Sequence, residues 1–254
     1  MAFESFDVSG DVIVTGGTKG IGKVTARKFL EAGCNVGVCS RDPENVDTAV
    51  DELGEHGDVY GEPVDVREYD NVESFVDNFA AEFDGVDVLV NNAGASFMAA
   101  FDGISPNGWD SIVEINLRGT YNCCHAAADH LKDGGGTVVN LSSVAGVQGA
   151  PMMSHYGAAK AGVINLTSSL AYEWAPHDVR VNCLAPGFIA TKGVEQQMGV
   201  SADEIERSEV KRRMGEPEEA ADVILFLASP ASSFMVGETV QARGLPDIME
   251  KPDA

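Results

Sequence analysis

Tyr156 and Lys160 stand four residues apart in Tyr156-Gly-Ala-Ala-Lys160, a spacing that places a phenol and an ammonium on one face of a helix. A cation beside a tyrosine favours the phenolate and lowers its pKa, so the pair predicts a general acid and base near neutral pH. Ordinary amphipathic helices with a surface lysine show the same spacing. Ser143 lies upstream in Asn140-Leu-Ser-Ser-Val-Ala-Gly146, just after an apolar run that reads as a strand. Its hydroxyl is therefore expected at the carboxyl edge of a sheet, where it can hydrogen-bond a developing oxyanion. Asn91-Asn92-Ala93-Gly94 ends another apolar run at that edge. Asn116 falls inside a long helical pattern, a poor place for a buried amide unless it has partners.

A second constellation opens the chain. Thr15-Gly16-Gly17-Thr18-Lys19-Gly20-Ile21-Gly22 follows a short apolar strand and leads into a helix. Glycines at 16, 20 and 22 permit a tight turn and close approach of a diphosphate, and the helix N-terminus offers free N–H groups. Gly16, Thr18, Lys19, Gly20, Ile21 and Gly22 are thus candidate dinucleotide contacts, made specific by their place between a first strand and a first helix. The second strand ends Cys39-Ser40-Arg41-Asp42. An acid there would accept from the ribose hydroxyls, whereas a base would take a 2′-phosphate. Ser40 stands where the acid would be, Arg41 follows, and Lys19 adds a second cation. The expected coenzyme is NADP(H). NAD(H) is the alternative, with Arg41 merely pairing with Asp42 or Glu44 at the surface.

The elements that must position these residues alternate. Strands are expected at 11–15, 35–39, 59–64, 86–91, 137–141, 179–184 and 238–241, and helices at 20–31, 43–53, 70–83, 107–131, 155–174 and 218–228. This pattern predicts one α/β domain over residues 1–254, a Rossmann-like, doubly wound parallel sheet of seven strands with helices on both faces. The irregular stretch 188–215 is a candidate substrate lid.

Charge narrows the partners. Forty acids face 17 bases, a net charge of −23 and an isoelectric point near 4.3. Binding of nucleic acid through its phosphates, or of an anionic membrane, is excluded on that ground. No apolar run reaches the ~18 residues of a membrane span, and the first ten residues lack a secretory pattern. Residues 41–89 hold 16 acids and two bases, while residues 1–40 hold four of each and 141–194 hold two acids and three bases. An anion can bind in the two neutral stretches without repulsion. An acidic, lysine-poor surface suits a cytoplasm of high salt, where screening removes the self-repulsion. Five cysteines without a Cys-x-x-Cys read as reduced cytosolic thiols, and the scattered histidines suggest no metal site.

In this order, from residue 15 to 191, the motifs resemble those of the short-chain dehydrogenase/reductase family, and the likeness extends over nearly the whole chain. The resemblance implies that Tyr156 is the proton donor and that Lys160 binds the nicotinamide ribose and tunes that tyrosine. It implies that Ser143 polarises the substrate and that Asn116 holds a proton-relay water. Asp65 and Val66 match the pair reading the adenine, while Asn92, Ala93 and Gly94 match residues lining the coenzyme. Pro186, Gly187, Ile189 and Thr191 match nicotinamide-side contacts. The family often assembles as dimers or tetramers, so a homo-oligomer is expected. The closing turn departs from the family's Val-Asp-Gly-Gly, reading Val240-Gln-Ala-Arg243-Gly244-Leu245-Pro246. Among family members the chain looks similar to 3-oxoacyl-thioester reductases, and in part to 2-enoyl-thioester reductases. The expected substrate is a carbonyl or alcohol, best a 3-oxoacyl thioester or similar apolar ketone. An enoyl thioester, a polyol or sugar, and a non-enzymatic dinucleotide sensor are the alternatives. Ser96, Phe97, Met98, Pro151, Met152, Met153 and Phe188 are candidate substrate contacts.

Overall fold

Alternating apolar residues build both faces of the sheet at once. In the computed structural model, which describes residues 6–191 and 213–244, β1 (Asp11–Thr15) sends Val12 and Val14 into one core and Ile13 into the other. β4 (Val88–Asn91) divides Val88 and Val90 from Leu89 in the same way, as the two-residue period of a strand requires. With β2 (Asn35–Ser40), β3 (Val59–Pro63), β5 (Gly136–Leu141), β6 (Val179–Pro186) and β7 (Thr239–Ala242) they form one sheet in the order β3-β2-β1-β4-β5-β6-β7. Every pairing is parallel, matching the expected sheet of seven strands.

One core lies under α1 (Gly20–Glu31), α2 (Pro43–Leu53) and the late helix Pro217–Ala228, through Phe29, Leu53, Ile224 and Leu227. The other lies under α3 (Tyr69–Phe83) and the helices that follow β4 and β5, through Phe75, Phe79, Cys123, Leu131 and Trp174. The chain reverses its winding between β1 and β4. The loops after those strands therefore part and leave a crevice at the carboxyl edge.

The single helix expected over 107–131 is corrected. It is α4 (Pro106–Val113), a π-turn at Glu114–Arg118, α5 (Gly119–Ala126) and α6 (Ala128–Lys132). Asn116 explains the break. Its buried side chain Nδ2 donates to the carbonyls of Ile112 at 2.9 Å and Ala95 at 2.8 Å, and its own carbonyl accepts from the Thr120 hydroxyl at 2.9 Å. A side chain competing for main-chain carbonyls widens the local turn, and such turns cluster at functional sites. Beyond β5 come α7 (Val144–Val147) and α8 (Ser154–Trp174), and Pro217–Ala228 is α9.

The ends of the candidate lid are tied together. Ala190 N–H donates to the Gly215 carbonyl at 2.8 Å, and Gly215 N–H donates to the Phe188 carbonyl at 2.9 Å. Residues 192–212 of that segment lie outside the described residues, as do residues 1–5 and the last part of the closing turn, Leu245 and Pro246. Among the described residues no helix is long and apolar enough to cross a membrane. None of their His, Cys, Asp and Glu side chains gather as a metal site.

Candidate active site

Four strand ends and the first turn of α8 converge at the crevice. Ser143, just after β5, caps α7 by accepting from Ala145 N–H at 3.2 Å, and its hydroxyl lies beside the Tyr156 phenol. The neighbouring Ser142 is turned away, its hydroxyl donating to the Lys160 carbonyl at 2.8 Å. Lys160 is buried at 3% exposure, and its ammonium donates to the Leu141 carbonyl at 2.7 Å. Gly94 joins the remaining members. A Cβ there would stand 2.6 Å from Asn116 Oδ1 and 3.5 Å from Lys160 Nζ. Asn116 is fully buried and its Oδ1 has no hydrogen-bond partner. Ser143, Tyr156, Lys160 and Asn116 are therefore brought together as their spacing suggested.

One electrostatic expectation is corrected. Lys160 does not lower the Tyr156 pKa in this arrangement. Burial pushes the phenol up, and the Ser143 hydroxyl beside it only offsets this in part. The ammonium is held at Leu141 and lies 5.7 Å from the centre of the Tyr156 ring. Burial pulls Lys160 itself down to about 8. Its charge is thus a standing cost of the fold below that pH. Lys160→Met should raise the melting temperature of the coenzyme-free protein at pH 7. The gain should shrink between about pH 8 and 10, where the folded lysine is neutral while the unfolded one stays charged. The difference between the two proteins is the quantity to follow, because the buried thiols Cys39 and Cys124, both pushed up to about 12, destabilise wild type and variant alike at alkaline pH. A gain that is absent, or constant with pH, would refute the cost.

A cavity of about 510 Å³ opens over the ends of β1, β2 and β4. Gly16, Thr18, Lys19, Ser40, Arg41, Val66, Ala93 and Gly94 line it, as expected of a dinucleotide cleft. Cys39, Asp42, Asn45, Val64 and Ile115 line it too, and sequence reasoning missed them. Asp42 could have been found, because an aspartate before a proline marks a helix start. It accepts from Glu44 N–H at 3.1 Å and from the Asn45 side chain. Its carboxylate is spent as the cap of α2, and neither Lys19 nor Arg41 makes an ion pair with a described residue. The surface pairing of Arg41 with Asp42 or Glu44 is not formed.

Gly20, Ile21 and Gly22 lie behind the cavity lining, where they shape the loop. A Cβ on Gly22 would meet Asn92 Nδ2 at 2.3 Å and the Gly16 carbonyl at 2.4 Å. Asn92 itself braces the loop, its Nδ2 donating to the carbonyls of Thr15 and Gly16 at 2.9 and 3.1 Å. Asp65, expected to read the adenine, is already engaged by a neighbour. Its carboxylate is gripped by Arg67, with Nε at 2.9 and 3.0 Å, and Asp65 is absent from the lining while Val64 and Val66 are present. Salt-bridging by Arg67 holds its pKa below the usual range.

Pro186, Gly187, Ile189 and Thr191 follow one another at the end of β6, outside that cavity. Thr191 reaches back to the glycine loop, its Cγ2 lying 3.2 Å from where a Gly20 Cβ would stand. Of the substrate candidates, Met152 holds a left-handed backbone at φ 66° and its carbonyl accepts from Ala99 N–H at 2.9 Å. A non-glycine residue in that region is strained and marks a constrained loop. This bond ties the loop holding Ser96, Phe97 and Met98 to the one holding Met152 and Met153. Phe97 packs edge-on against buried His155 at 4.3 Å. Phe188 is 61% exposed just past β6.

Comparison with known proteins agrees with this geometry. A family profile described as Enoyl-(Acyl carrier protein) reductase matches residues 16–244. A 3-oxoacyl-[acyl-carrier-protein] reductase of Chlamydia trachomatis is 38% identical over 240 residues, 93% of this chain and 97% of that protein. The crystal structure of a short-chain type dehydrogenase/reductase from Mycobacterium marinum superposes with a TM-score of 0.88 at 34% identity, covering 96% of this chain and 98% of that one. A 3-oxoacyl-[acyl-carrier protein] reductase from Brucella melitensis, crystallised with NAD, gives 0.81 at 33% identity over 95% and 92% of the two chains. The chain belongs to the short-chain dehydrogenase/reductase family of oxidoreductases.

Proposed function

We propose that this protein is an NADP(H)-dependent ketoreductase acting on a 3-oxoacyl thioester or a similar apolar ketone. The observation that carries the reading is the gathering of Ser143 and Tyr156 beside buried Lys160 and the orphaned Oδ1 of Asn116. The glycine loop leaves room for a diphosphate against bare backbone, and the cavity beside it presents two cations that make no ion pair with a described residue, so the residues present fit a phosphorylated dinucleotide.

The nicotinamide, when bound, supplies or accepts the hydride. The chain's own residues handle the proton and the charge. With its pKa raised by burial, Tyr156 stays protonated at neutral pH and is ready to donate to a carbonyl oxygen as that oxygen becomes an alkoxide. The Ser143 hydroxyl can donate a hydrogen bond to the same oxygen. The Lys160 ammonium keeps two donors beyond its bond to the Leu141 carbonyl, and these would hold the nicotinamide ribose. Asn116 Oδ1 is free to accept from a proton-carrying group between Gly94 and Lys160. A panel of ketones, enoyl thioesters and alcohols with both nicotinamide coenzymes tests the reading. Turnover confined to enoyl substrates, the activity named by the matching family profile, would replace it, because a complete Ser-Tyr-Lys set serves carbonyl rather than alkene reduction.

Coenzyme choice has its own test. Arg41→Asp puts a carboxylate where a 2′-phosphate would bind and should reduce or reverse the preference for NADPH over NADH. An unchanged preference, or a wild type favouring NADH, would remove Arg41 and Lys19 from that role. The acidic surface further suggests a protein adapted to high salt. Its melting temperature should climb steeply between about 0.1 M and 1 M KCl, as the Debye length falls from ~10 Å to ~3 Å. A flat or falling curve would count against that adaptation.

A further inference from the structure

Cations in this chain are few and mostly engaged. Lys23, Lys28, Arg67 and Arg213 pair with carboxylates. Arg180 is bound by carbonyls and hydroxyls, Lys132 lies over the Trp174 ring, and Lys19 and Arg41 line the dinucleotide cavity. Arg243, like Arg118, makes no ion pair with a described residue. Its Nη1 donates instead to Oε1 of Gln148 at 3.2 Å.

The place of that contact matters. Gly187 N–H donates to the Ala242 carbonyl at 2.9 Å, and a Cβ on Gly187 would come within 3.0 Å of Arg243 Cα and Cβ. Only a glycine at 187 lets Arg243 lie this close to the end of β6. From there the side chain reaches back to the loop that begins at Ser143 after β5. The guanidinium thus links the segment that runs on to Phe188 with the one that runs on to Met152. On the Gln148 side, residues 141–194 carry two acids against three bases, so that side adds no negative field against an anion. A guanidinium already steadied by an amide oxygen keeps donors free for a bidentate contact with a carboxylate or phosphate.

We propose that Arg243, held by Gln148, binds an oxyanion carried by the substrate beyond its reacting carbonyl. This rests on the ketoreductase reading for the identity of the cleft. Carboxylate and phosphate share the recognition chemistry, and two substrate pairs separate them. Acetoacetate against its methyl ester tests a carboxylate. The 3-oxobutanoyl thioester of phosphopantetheine against that of pantetheine tests a phosphate. For one pair, the wild-type kcat/KM should favour the anionic member. Arg243→Gln should lower that ratio about tenfold or more, since a hydrogen bond to a charged group is lost. Arg243→Lys should restore part of it.

Binding without turnover keeps the inference separate from the reading beneath it. Calorimetric titration of the NADPH-loaded protein uses the alcohol products of the same pairs, which cannot react with reduced coenzyme. Anion-selective binding that depends on Arg243 supports the inference even if no ketone is reduced. Reduction of both members of each pair, with ratios that Arg243→Gln leaves unchanged, overturns the inference and leaves the ketoreductase standing. Anionic and neutral products bound equally by wild type overturn it as well.

Discussion

Tyr156→Phe should reduce kcat by about 10²–10⁴-fold while leaving NADPH affinity nearly intact, the usual loss when a general acid is removed. The substitution deletes one hydroxyl and keeps the ring, so packing against the Lys160 ammonium at 5.7 Å survives. What disappears is the proton that burial holds on the phenol at neutral pH. Ser143→Ala gives the complementary measurement, because it leaves the acid in place and removes the second donor to the developing alkoxide, together with the cap of α7. Single-turnover rates with saturating coenzyme, together with a fluorescence titration of NADPH, separate chemistry from binding. Near-normal turnover by Tyr156→Phe would sink the mechanism and reopen the reading of a dinucleotide-binding sensor.

The largest single effect on stability is expected from Arg180→Met. Arg180 lies on β6 and is half-buried without a carboxylate partner. Its Nη1 donates to the Leu227 carbonyl at 3.1 Å and to the carbonyl and hydroxyl of Ser232 at 3.2 and 2.8 Å. Its Nη2 donates to the Thr137 hydroxyl at 3.0 Å and to the carbonyls of Ala228 and Ser229 at 3.3 and 3.2 Å. One guanidinium thus closes the carboxyl end of α9, where carbonyls have no helical partner and the dipole favours a cation. It also ties that end to β5 and β6. Replacing it by methionine leaves the Ala228 carbonyl without its donor and takes one of two donors from the carbonyls of Leu227, Ser229 and Ser232, which should cost about 3 kcal/mol. For a chain of this size that is a fall of about 6–12 °C in melting temperature. Arg180→Lys should recover part of the loss, since an ammonium offers fewer donors in a less fitting geometry. All partners are neutral, so the deficit should persist in high salt, unlike a surface ion pair. A fall of less than about 2 °C would show that water satisfies those carbonyls instead.

Apolar periodicity and punctuation made most of the fold legible. The strand runs are short and β-branched, the helix runs are longer and amphipathic, and the boundaries of β1, α1 and α2 fell where the residues placed them. The break in the long helix was not legible. It arises from the Asn116 amide reaching Ala95, 21 residues away, and local propensity carries no trace of such a contact. The grip of Arg67 on Asp65 was hidden for a different reason. Two charges two residues apart pair only if the backbone turns there, and a loop conformation is set by its tertiary surroundings.

By itself the sequence determined which chemical groups are available and in what order, because spacing along a helix or at a strand end is a local property. Tyr156 and Lys160 on one face, Ser143 past a strand, and the glycine loop before a helix all follow from that. Tertiary structure alone decided what those groups experience. Burial raises the Tyr156 phenol and pulls the Lys160 ammonium to about 8, reversing the shift that their spacing suggested for the tyrosine. The cap of α2 occupies Asp42, so Arg41 makes no ion pair with it. The close approach of β7 to Gly187 brings Arg243 to Gln148, 95 residues away. Desolvation and partner choice depend on what packs around a group in space, and that neighbourhood exists only once strands distant in the chain have paired.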